Sequence, residues 1–230
     1  MFYIQIIELN CNGNSKIALI IKNRTISLES TEGRNTETAL LSFHQTGDDR
    51  LAVRKILIPK KSDFVIDSLS NHINWFHIIS GQCICSDKLL SSEQICYIPE
   101  KIKVSINAKE DTSILLCTVR DYNRFETEPS NATSSIKIIN WKNEPVLQSE
   151  HDMRKRIYVA TKSLWGTNSV KGEMILYPKN TKAPAHYHVG AEHFQYILSG
   201  HGIVFVDGKE IKVEAGDLVY NFENEVHWFD

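Results

Sequence analysis

Short apolar or alternating segments, rich in Ile, Val, Leu and Tyr, recur along the chain between clusters of Gly, Asn, Asp and Lys. Such segments are typical of β-strands, in which successive side chains point to opposite faces of a sheet. No stretch combines a sustained apolar period of three to four residues with helix caps, so we expect at most one or two helical turns. The pattern therefore predicts an all-β protein. The clearest segments are SKIALIIKN, LAVRKILIPK, WFHIISGQCIC, KIKVSINA, TSILLCTV, RIYVATKSLW, GEMILYP, FQYILSGHGIVFV and GDLVYNF.

The chain divides into two similar halves. The polar segment ETEPSNATSS, residues 126–135, interrupts the strand pattern once and marks a linker. Superposing Gly81 on Gly200 places WFHIISG over FQYILSG, in each case an aromatic-to-aliphatic strand that ends in a Ser-Gly turn. We therefore expect a duplicated β-barrel, with one barrel in residues 1–125 and the other in residues 136–230.

The composition and charge of the chain argue against two classes of binding partner, nucleic acids and membranes. The chain has 230 residues and a formal net charge of -2, with acidic and basic residues interspersed, which excludes the one-sided basic surface of a nucleic-acid-binding protein. The start MFYIQIIELN has no basic region or cleavage site. No apolar run approaches the roughly 20 residues that span a bilayer. These features predict a cytoplasmic protein with neither a nucleic-acid nor a membrane partner.

The cysteines do not form a disulfide framework, because they are odd in number and all precede residue 118. Cys83 and Cys85 would share one face of a strand. A zinc site would need further thiols or imidazoles at defined spacing. We predict buried free thiols, since free cysteine commonly acts as a small core residue. The five residues are Cys11, Cys83, Cys85, Cys96 and Cys117.

Candidate chemistry is concentrated near the carboxy terminus, where five of the nine histidines follow residue 185. His186 and His188 are two residues apart, so on a strand both imidazoles point to one face, inward if a barrel encloses them. His193 on the next strand and His227 much later can reach the same interior point. Neutral imidazoles are the commonest ligands of divalent transition metals, so these four residues are the predicted metal ligands.

The spacing around these histidines resembles the two motifs of the cupin superfamily. The first motif is Gly, five residues, His-any-His, three or four residues, Glu, six residues, Gly. The second is Gly, five residues, Pro, one residue, Gly, two residues, His. The match covers residues 180–227 and keeps the closing Gly200 and the opening Gly216. The resemblance implies a cupin-type barrel around the histidines, and two such barrels in the duplicated chain.

Three turn positions depart from the motifs. Asn180 and Asn224 stand in place of glycines, and Asn accepts a positive φ. Phe222 replaces the proline of the second motif. We expect these changes to preserve the fold.

The position of the first-motif glutamate is held by His193, and the nearest carboxylate, Glu192, is one residue out of phase. On a strand, one residue means the opposite face. If His193 and Gln195 face the metal, Glu192 faces away towards the surface and the centre is all-histidine, as in some members of the superfamily. We prefer His193 over Glu192 as the third first-motif ligand. A shift in the start of the strand would reverse this choice.

The first half has the strand pattern without the ligands. Superposing Gly81 on Gly200 puts Asp67, Leu69 and Asn74 at the positions of the first-motif ligands. Val104 falls at the position of the final histidine. The first half is therefore interpreted as a degenerate cupin barrel that holds no metal.

The resemblance implies a metal-dependent enzyme, in the first place a dioxygenase-type oxidoreductase acting on a small organic substrate. The metal would be one divalent ion, Fe(II) in the first place, with Mn, Ni, Zn or Cu as alternatives. Gln195 would be an inward-facing polar group beside the ligands. A non-oxidative isomerase, lyase or hydrolase and a small-metabolite-binding module remain alternatives, because fold does not fix function. A homodimer is left open.

The end of the sequence adds an expectation about the second barrel. The strands of a cupin barrel normally continue beyond the final histidine, whereas this sequence ends three residues after His227. An open edge would expose unpaired backbone groups. We therefore expect another segment to pair there, first of all the amino-terminal strand Phe2 to Leu9, with a partner chain or a truncated carboxy terminus as alternatives.

Overall fold

A computed structural model of the chain describes residues 2–10, 18–23, 33–46, 51–126, 134–150 and 152–230. These residues are almost entirely strands and connections, with α-helix confined to two four-residue turns, α1 (Phe43–Thr46) and α2 (Lys162–Trp165). The all-β class is therefore confirmed. The strands are β1 (Phe2–Asn10), β2 (Leu19–Ile21), β3 (Thr36–Leu41), β4 (Leu51–Ile58), β5 (Asp63–Asp67), β6 (Ile73–Ser80), β7 (Cys83–Cys85), β8 (Lys88–Leu90), β9 (Gln94–Ile98), β10 (Lys103–Ala108), β11 (Thr112–Val119), β12 (Lys137–Asn140), β13 (Leu147–Gln148), β14 (Lys155–Ala160), β15 (Val170–Tyr177), β16 (Ala191–Ser199), β17 (His201–Val206), β18 (Lys209–Glu214), β19 (Leu218–Asn221) and β20 (His227–Phe229).

The first barrel is the compact unit formed by Ile26–Asn143 and Ser163–Thr167. Its larger sheet has the strand order β12-β9-β6-β11-β4-β3, and its smaller sheet has the order β5-β10-β7-β8. The pairings are antiparallel, so each strand can present one face to the interior and the other away from it.

The second barrel is the compact unit formed by Met1–Thr25, Glu144–Lys162 and Asn168–Asp230. Its larger sheet has the order β13-β14-β15-β1-β16-β19-β2, and its smaller sheet has the order β18-β17-β20. An isolated antiparallel bridge between His186 and His227 adds one position beside β20. The chain thus has two cupin-type barrels, as the sequence predicts.

The two barrels share a register irregularity that supports the duplication. β6 pairs with β11, and β16 pairs with β1, and each pairing skips the residue before the final serine of the strand, Ile79 in β6 and Leu198 in β16. Gly81 and Gly200 follow directly, with φ values of 81° and 85°. A Cβ atom on Gly81 would lie 2.3 Å from the carbonyl oxygen of Asp111. The superposition of Gly81 on Gly200 therefore agrees with the strand pairing.

The amino-terminal strand completes the second barrel. β1 lies between β15 and β16 and pairs with both, from Phe2 opposite Tyr177 to Leu9 opposite Val170 on the β15 side. This confirms the expectation that the segment Phe2 to Leu9 pairs with the second half. β1 holds the place that β11 has between β4 and β6, and β2 pairs with β19 as β12 pairs with β9.

The compact units divide the chain differently from the linear boundaries 1–125, 126–135 and 136–230. The difference arises because strand pairing joins residues that are distant in sequence, which a composition-based boundary does not detect. Of the segment expected to be a linker, residues 127–133 lie outside the described residues.

Each barrel has its own apolar core. The thiols of Cys83, Cys85 and Cys96 are part of the first core, and Cys117 is also buried; all four are free cysteines, as expected. Cys11 lies outside the described residues. Among the described residues, no helix is long and apolar enough to cross a membrane. The second core consists of Ile175, Tyr177, Ala183, Ile197, Val204, Val213, Val219 and Phe229.

Candidate metal centre

The second barrel brings the predicted ligands together from both of its sheets. His193 lies in β16 of the larger sheet, and His227 begins β20 of the smaller sheet. His186 is held against His227 by two backbone hydrogen bonds, of 3.1 Å from the His186 amide and 2.9 Å from the His227 amide. His188 follows in the extended segment after His186, and its carbonyl accepts a hydrogen bond of 2.9 Å from the Asn224 amide.

Three of the imidazoles are close enough to share one ion. One ring nitrogen from each of His186, His188 and His227 lies within 4.8 Å of the others. Metal–nitrogen distances of about 2.1 Å place ligating nitrogens at most about 4.2 Å apart, so small side-chain rotations would bring these three into range.

His193 lies beside this group of three without being a member of it. Its ring centroid is 4.4 Å from that of His188 and 4.5 Å from that of His227. Its Nε2 atom is buried and makes no hydrogen bond within the described part of the chain. His193 is therefore placed to be a fourth ligand.

Backbone carbonyls fix two of the rings. Nδ1 of His186 lies 2.9 Å from the carbonyl oxygen of Pro184, and Nδ1 of His227 lies 2.8 Å from that of Glu225. A carbonyl only accepts, so in each ring Nδ1 carries the proton and donates it. Nε2 then keeps its lone pair for a metal, the arrangement that orients histidine ligands in metal sites.

Lowered pKa values favour the neutral form of His186, His193 and His227. Burial is the main cause that lowers the pKa of His227 to about 3; the neighbouring His186 and His188 act in the same direction, and the hydrogen bond to the Glu225 carbonyl acts against it. Burial also lowers the pKa of His193 well below its usual range, and so do the other three histidines, whereas a hydrogen bond with the Asn221 side chain acts in the opposite direction. Neutral imidazole is the form that binds a metal.

The turn positions of the two motifs behave as expected. Asn180 and Asn224 have φ values of 62° and 63°, in the left-handed region that glycine adopts without strain. Gly216 has a φ of 92°, and a Cβ atom there would lie 2.5 Å from the Asn23 side chain. The substitutions of Asn for Gly therefore preserve the turn geometry.

The comparisons with known proteins agree with this architecture. Residues 172–230 match the family model described as "Cupin domain". This part of the chain therefore matches a cupin domain. No curated protein matches the sequence.

Solved structures with the same fold cover nearly the whole chain at low identity. The putative glyoxylate-induced protein from Pseudomonas aeruginosa superposes with a TM-score of 0.72 at 10% identity, covering 94% of this chain and 84% of that chain. Oxalate decarboxylase from Lactobacillus farciminis gives a TM-score of 0.71 at 11% identity, covering 96% and 83%. The protein Ylba from E. coli gives a TM-score of 0.64 at 14% identity, covering 93% and 86%.

His193 and Glu192 lie on opposite faces of β16. Glu192 accepts a hydrogen bond from the Tyr220 hydroxyl, on the face of β16 away from the histidines. Its side chain is nonetheless buried, with 6% of its surface exposed. The expectation that Glu192 lies on the surface is therefore wrong, because β16 is buried on both faces.

Gln195 shares the interior face of β16 with His193 and is 1% exposed. It pairs in register with Val219, a residue of the barrel core. Its Oε1 atom makes no hydrogen bond within the described residues. Gln195 thus offers a buried polar group on the face that carries His193.

The equivalent region of the first barrel differs from the sequence superposition in one respect. Ile66 pairs with Val104 as His186 pairs with His227, so Ile66, not Asp67, occupies the position of His186. Val104 itself takes the expected position, because β10 pairs with β7 in the register in which β20 pairs with β17.

The same shift places Ser68, not Leu69, at the position of His188. Ser68 is 1% exposed, whereas Leu69 points outward and is 58% exposed. The loop leading into β6 is one residue longer than the loop leading into β16, and a superposition without gaps does not detect this difference. Asn74 remains at the position of His193, as expected.

The second barrel also contains charged residues with little exposure that the sequence analysis did not identify. Arg154 and Glu173 are both 8% exposed, and Arg156 forms an ion pair with Glu173. The signal in the sequence was the alternation of Arg154 and Arg156 at the start of a strand and the lone carboxylate in the apolar segment GEMILYP. Alternate residues of a strand share a face, and charged side chains are seldom buried on an interior face unless they are paired.

Proposed function

We propose that His186, His188, His193 and His227 hold one divalent transition-metal ion, and that this protein is an enzyme acting on a small organic substrate at that ion. The observation that carries the proposal is the convergence of ring nitrogens from His186, His188 and His227 within 4.8 Å. The first barrel, by contrast, is proposed to be a degenerate cupin barrel without a metal.

The donor set fits a metal. Nε2 of His193 and Nε2 of His227 are buried without a hydrogen bond in the described part of the chain. Leaving a polar group buried and unsatisfied costs about 1–3 kcal/mol. Coordination would satisfy both atoms at once, which supports a metal rather than a packing role.

Fe(II) is the proposed metal, with Mn, Ni, Zn and Cu as alternatives that imidazoles also bind. When bound, the ion would act as a Lewis acid on a substrate oxygen and, as Fe(II), would support chemistry with O₂. The carbonyls of Pro184 and Glu225 would hold two rings in the ligating tautomer. Gln195 would hydrogen-bond the substrate or a ligating group through its buried amide.

Dioxygenase-type oxidation is the leading reaction class of this proposal, because neutral ligands leave the positive charge of the ion available to O₂ and substrate. A second candidate is a redox-neutral reaction such as decarboxylation. The structural similarity to oxalate decarboxylase, at 11% identity, favours this second candidate.

Metal content tests the first part of the proposal. We expect about one transition-metal ion per chain by elemental analysis, and near-zero content in His186→Ala and His188→Ala, because each loses a ligand. His201→Ala is the matched control, since His201 is an exposed histidine of the same barrel. Two ions per chain, or full occupancy in both ligand variants, would contradict the single site.

Activity in air and under nitrogen separates the reaction classes. The loaded protein is incubated with small carboxylic acids, oxalate among them, while O₂ uptake and CO₂ release are recorded. O₂ uptake that depends on the substrate supports oxidation, and CO₂ release under nitrogen supports decarboxylation. Binding without turnover by a metal-loaded protein would indicate a metabolite-binding module and contradict the enzymatic role.

A further inference from the structure

Two arginines at the start of β14, Arg154 directly before the strand and Arg156 within it, point towards the interior of the second barrel. Arg156 pairs in register with Ile175, a core residue that is 0% exposed. Arg154, two residues earlier, donates a hydrogen bond of 3.2 Å to the hydroxyl of Tyr177, another member of that core. Both guanidinium groups therefore extend from the same face of the strand towards the barrel interior.

Arg154 is fully engaged by its neighbours. Its Nε and Nη2 atoms contact one carboxylate oxygen of Asp152, at 2.8 and 2.6 Å, and its Nη1 donates to Tyr177. Both edges of this guanidinium are therefore used within the protein. Its side chain is 10% exposed, which suits a structural role.

Arg156 is engaged along one edge only. Its Nε atom lies 3.0 Å from Oε2 of Glu173, and its Nη2 donates to Oε1 at 3.1 Å. No partner for its Nη1 is present among the described residues, and the side chain is 37% exposed. The Nη1–Nη2 edge has the planar geometry that pairs with a second carboxylate.

The charges around the site favour an anion. Arg156 is bonded to Glu173, and Glu173 pairs in register with Ile6 of β1, which pairs in turn with Gln195 on the face of β16 that carries His193. Each arginine is matched by one carboxylate, Asp152 or Glu173. A divalent ion on four neutral imidazoles would therefore leave about two positive charges uncompensated, which a mono- or dicarboxylate would balance.

We propose that the substrate of this site is a small organic mono- or dicarboxylate, and that Arg156 binds one of its carboxylate groups through the Nη1–Nη2 edge. The inference rests on the proposed function, because the metal supplies the uncompensated charge. Glu173 is then a positioning residue, since it holds the other edge of the guanidinium and so orients the one that faces the substrate.

Calorimetric titration of the metal-loaded protein tests this assignment, with malonate as the probe and malonamide as its uncharged analogue. Wild-type protein should bind malonate and not malonamide. Arg156→Gln should weaken malonate binding about tenfold or more, because a charge-assisted pair is lost. Arg156→Lys should restore only part of the affinity, since an ammonium group cannot form two parallel bonds. Lys155→Gln is the matched control, because Lys155 is the exposed neighbour on the same strand.

Metal content, measured on every variant, separates the two proposals. One ion per chain in Arg156→Gln together with weakened malonate binding supports the assignment of Arg156. One ion per chain with unchanged malonate binding in Arg156→Gln, or equal binding of malonamide, overturns the assignment and leaves the metal centre standing. A wild-type protein that takes up no metal overturns both proposals.

Discussion

The first barrel carries Ile66, Ser68, Asn74 and Val104 at the four positions where the second barrel carries its histidines, although the surrounding strands pair in the same register. In the first barrel these positions are filled by core packing and a hydrogen-bonded chain. The Thr118 hydroxyl donates to Asn74 at 2.6 Å, and the Asn74 amide donates to Ser68 at 2.9 Å.

The comparison shows that the backbone framework and the interior chemistry of these barrels vary independently. Gln195 and Asn221 of the second barrel correspond in register to Phe76 and Ile98, which belong to the apolar core of the first. Chain connectivity also varies independently, because β1 takes the place of β11 from the opposite end of the sequence. Barrels with the same sheet order can therefore enclose either an apolar core or a cluster of imidazoles.

Removing β1, the amino-terminal strand that completes the second barrel, should have the largest effect on stability and metal content. Deleting residues 1–10 leaves β15 and β16 without their shared neighbour, so the backbone groups of two central strands lose their partners. We expect loss of metal from the purified protein, a lower melting temperature and aggregation. Elemental analysis, thermal unfolding and size-exclusion chromatography measure the three effects.

A single substitution in β1 tests the same role more specifically than the deletion. Ile6 pairs with Glu173 on one side and Gln195 on the other, so Ile6→Pro should reproduce much of the deletion because proline cannot donate to a ladder. Ile6→Val, which keeps the backbone donor, is its control. A deletion that left metal content, melting temperature and oligomeric state unchanged would refute the closing role of β1.

The next prediction concerns the two faces of β16. His193→Ala should weaken metal binding by about tenfold or more, since ligand loss should cost at least as much as the 10–100-fold known for outer-shell changes. Glu192→Gln should leave the metal content unchanged and lower stability by only about 1 kcal/mol, because the amide oxygen still accepts the bond from the Tyr220 hydroxyl but without the charge. Competition with a chromogenic chelator measures the affinity. If Glu192→Gln emptied the site and His193→Ala did not, the carboxylate would be the ligand.

The sequence predicted the fold because strand alternation and turn residues are local signals, as with Asn180 and Asn224 at positive φ. The spacing of the four histidines also predicted that they lie close together. The extra residue in the loop before β6 and the burial of Glu192 were not predictable, because both depend on what packs on the far side of a strand. Arg156 was overlooked because its partner Glu173 lies on another strand.

A smaller effect is expected from opening the hydrogen-bonded chain of the first barrel. Asn74→Ala leaves the Thr118 hydroxyl without its acceptor, whereas the Ser68 hydroxyl still donates to the His72 carbonyl at 3.1 Å. One unsatisfied group costs about 1–3 kcal/mol, so we expect a loss of that size in the free energy of unfolding, measured by urea titration, with the metal content of the second barrel unchanged. Asn107→Ala, which removes a more exposed bond to Asp63, should cost little. An equal loss of stability in both variants would show that the buried hydrogen bonds of Asn74 contribute no more than an exposed one.

The smallest expected effect is the pH dependence of stability that His77 gives to the first barrel. The corresponding residue in β16 of the second barrel is Tyr196. Burial lowers the pKa of His77 to about 4, although a hydrogen bond from its Nε2 to the Ser92 carbonyl raises it. The usual value of about 6.5 applies to the unfolded chain. Between these two values the unfolded state binds the proton and the folded state does not. Stability from this residue is therefore complete above about pH 6.5 and is lost as pH falls towards 4.

At pH 5 this loss amounts to about 2 kcal/mol relative to neutral pH, by linkage over 1.5 pH units. His77→Gln keeps a donor for the Ser92 carbonyl but does not titrate, so its free energy of unfolding should fall less steeply between pH 7 and pH 5 than that of the wild type. The buried histidines of the second barrel contribute equally to both proteins and cancel in the difference. Tyr196→Phe is the matched control, because burial raises the pKa of Tyr196 to about 12 and it stays neutral throughout this range. Urea titrations at pH 7, 6 and 5 give the slopes, and parallel curves for wild type and His77→Gln would show that His77 does not remain neutral in the folded barrel.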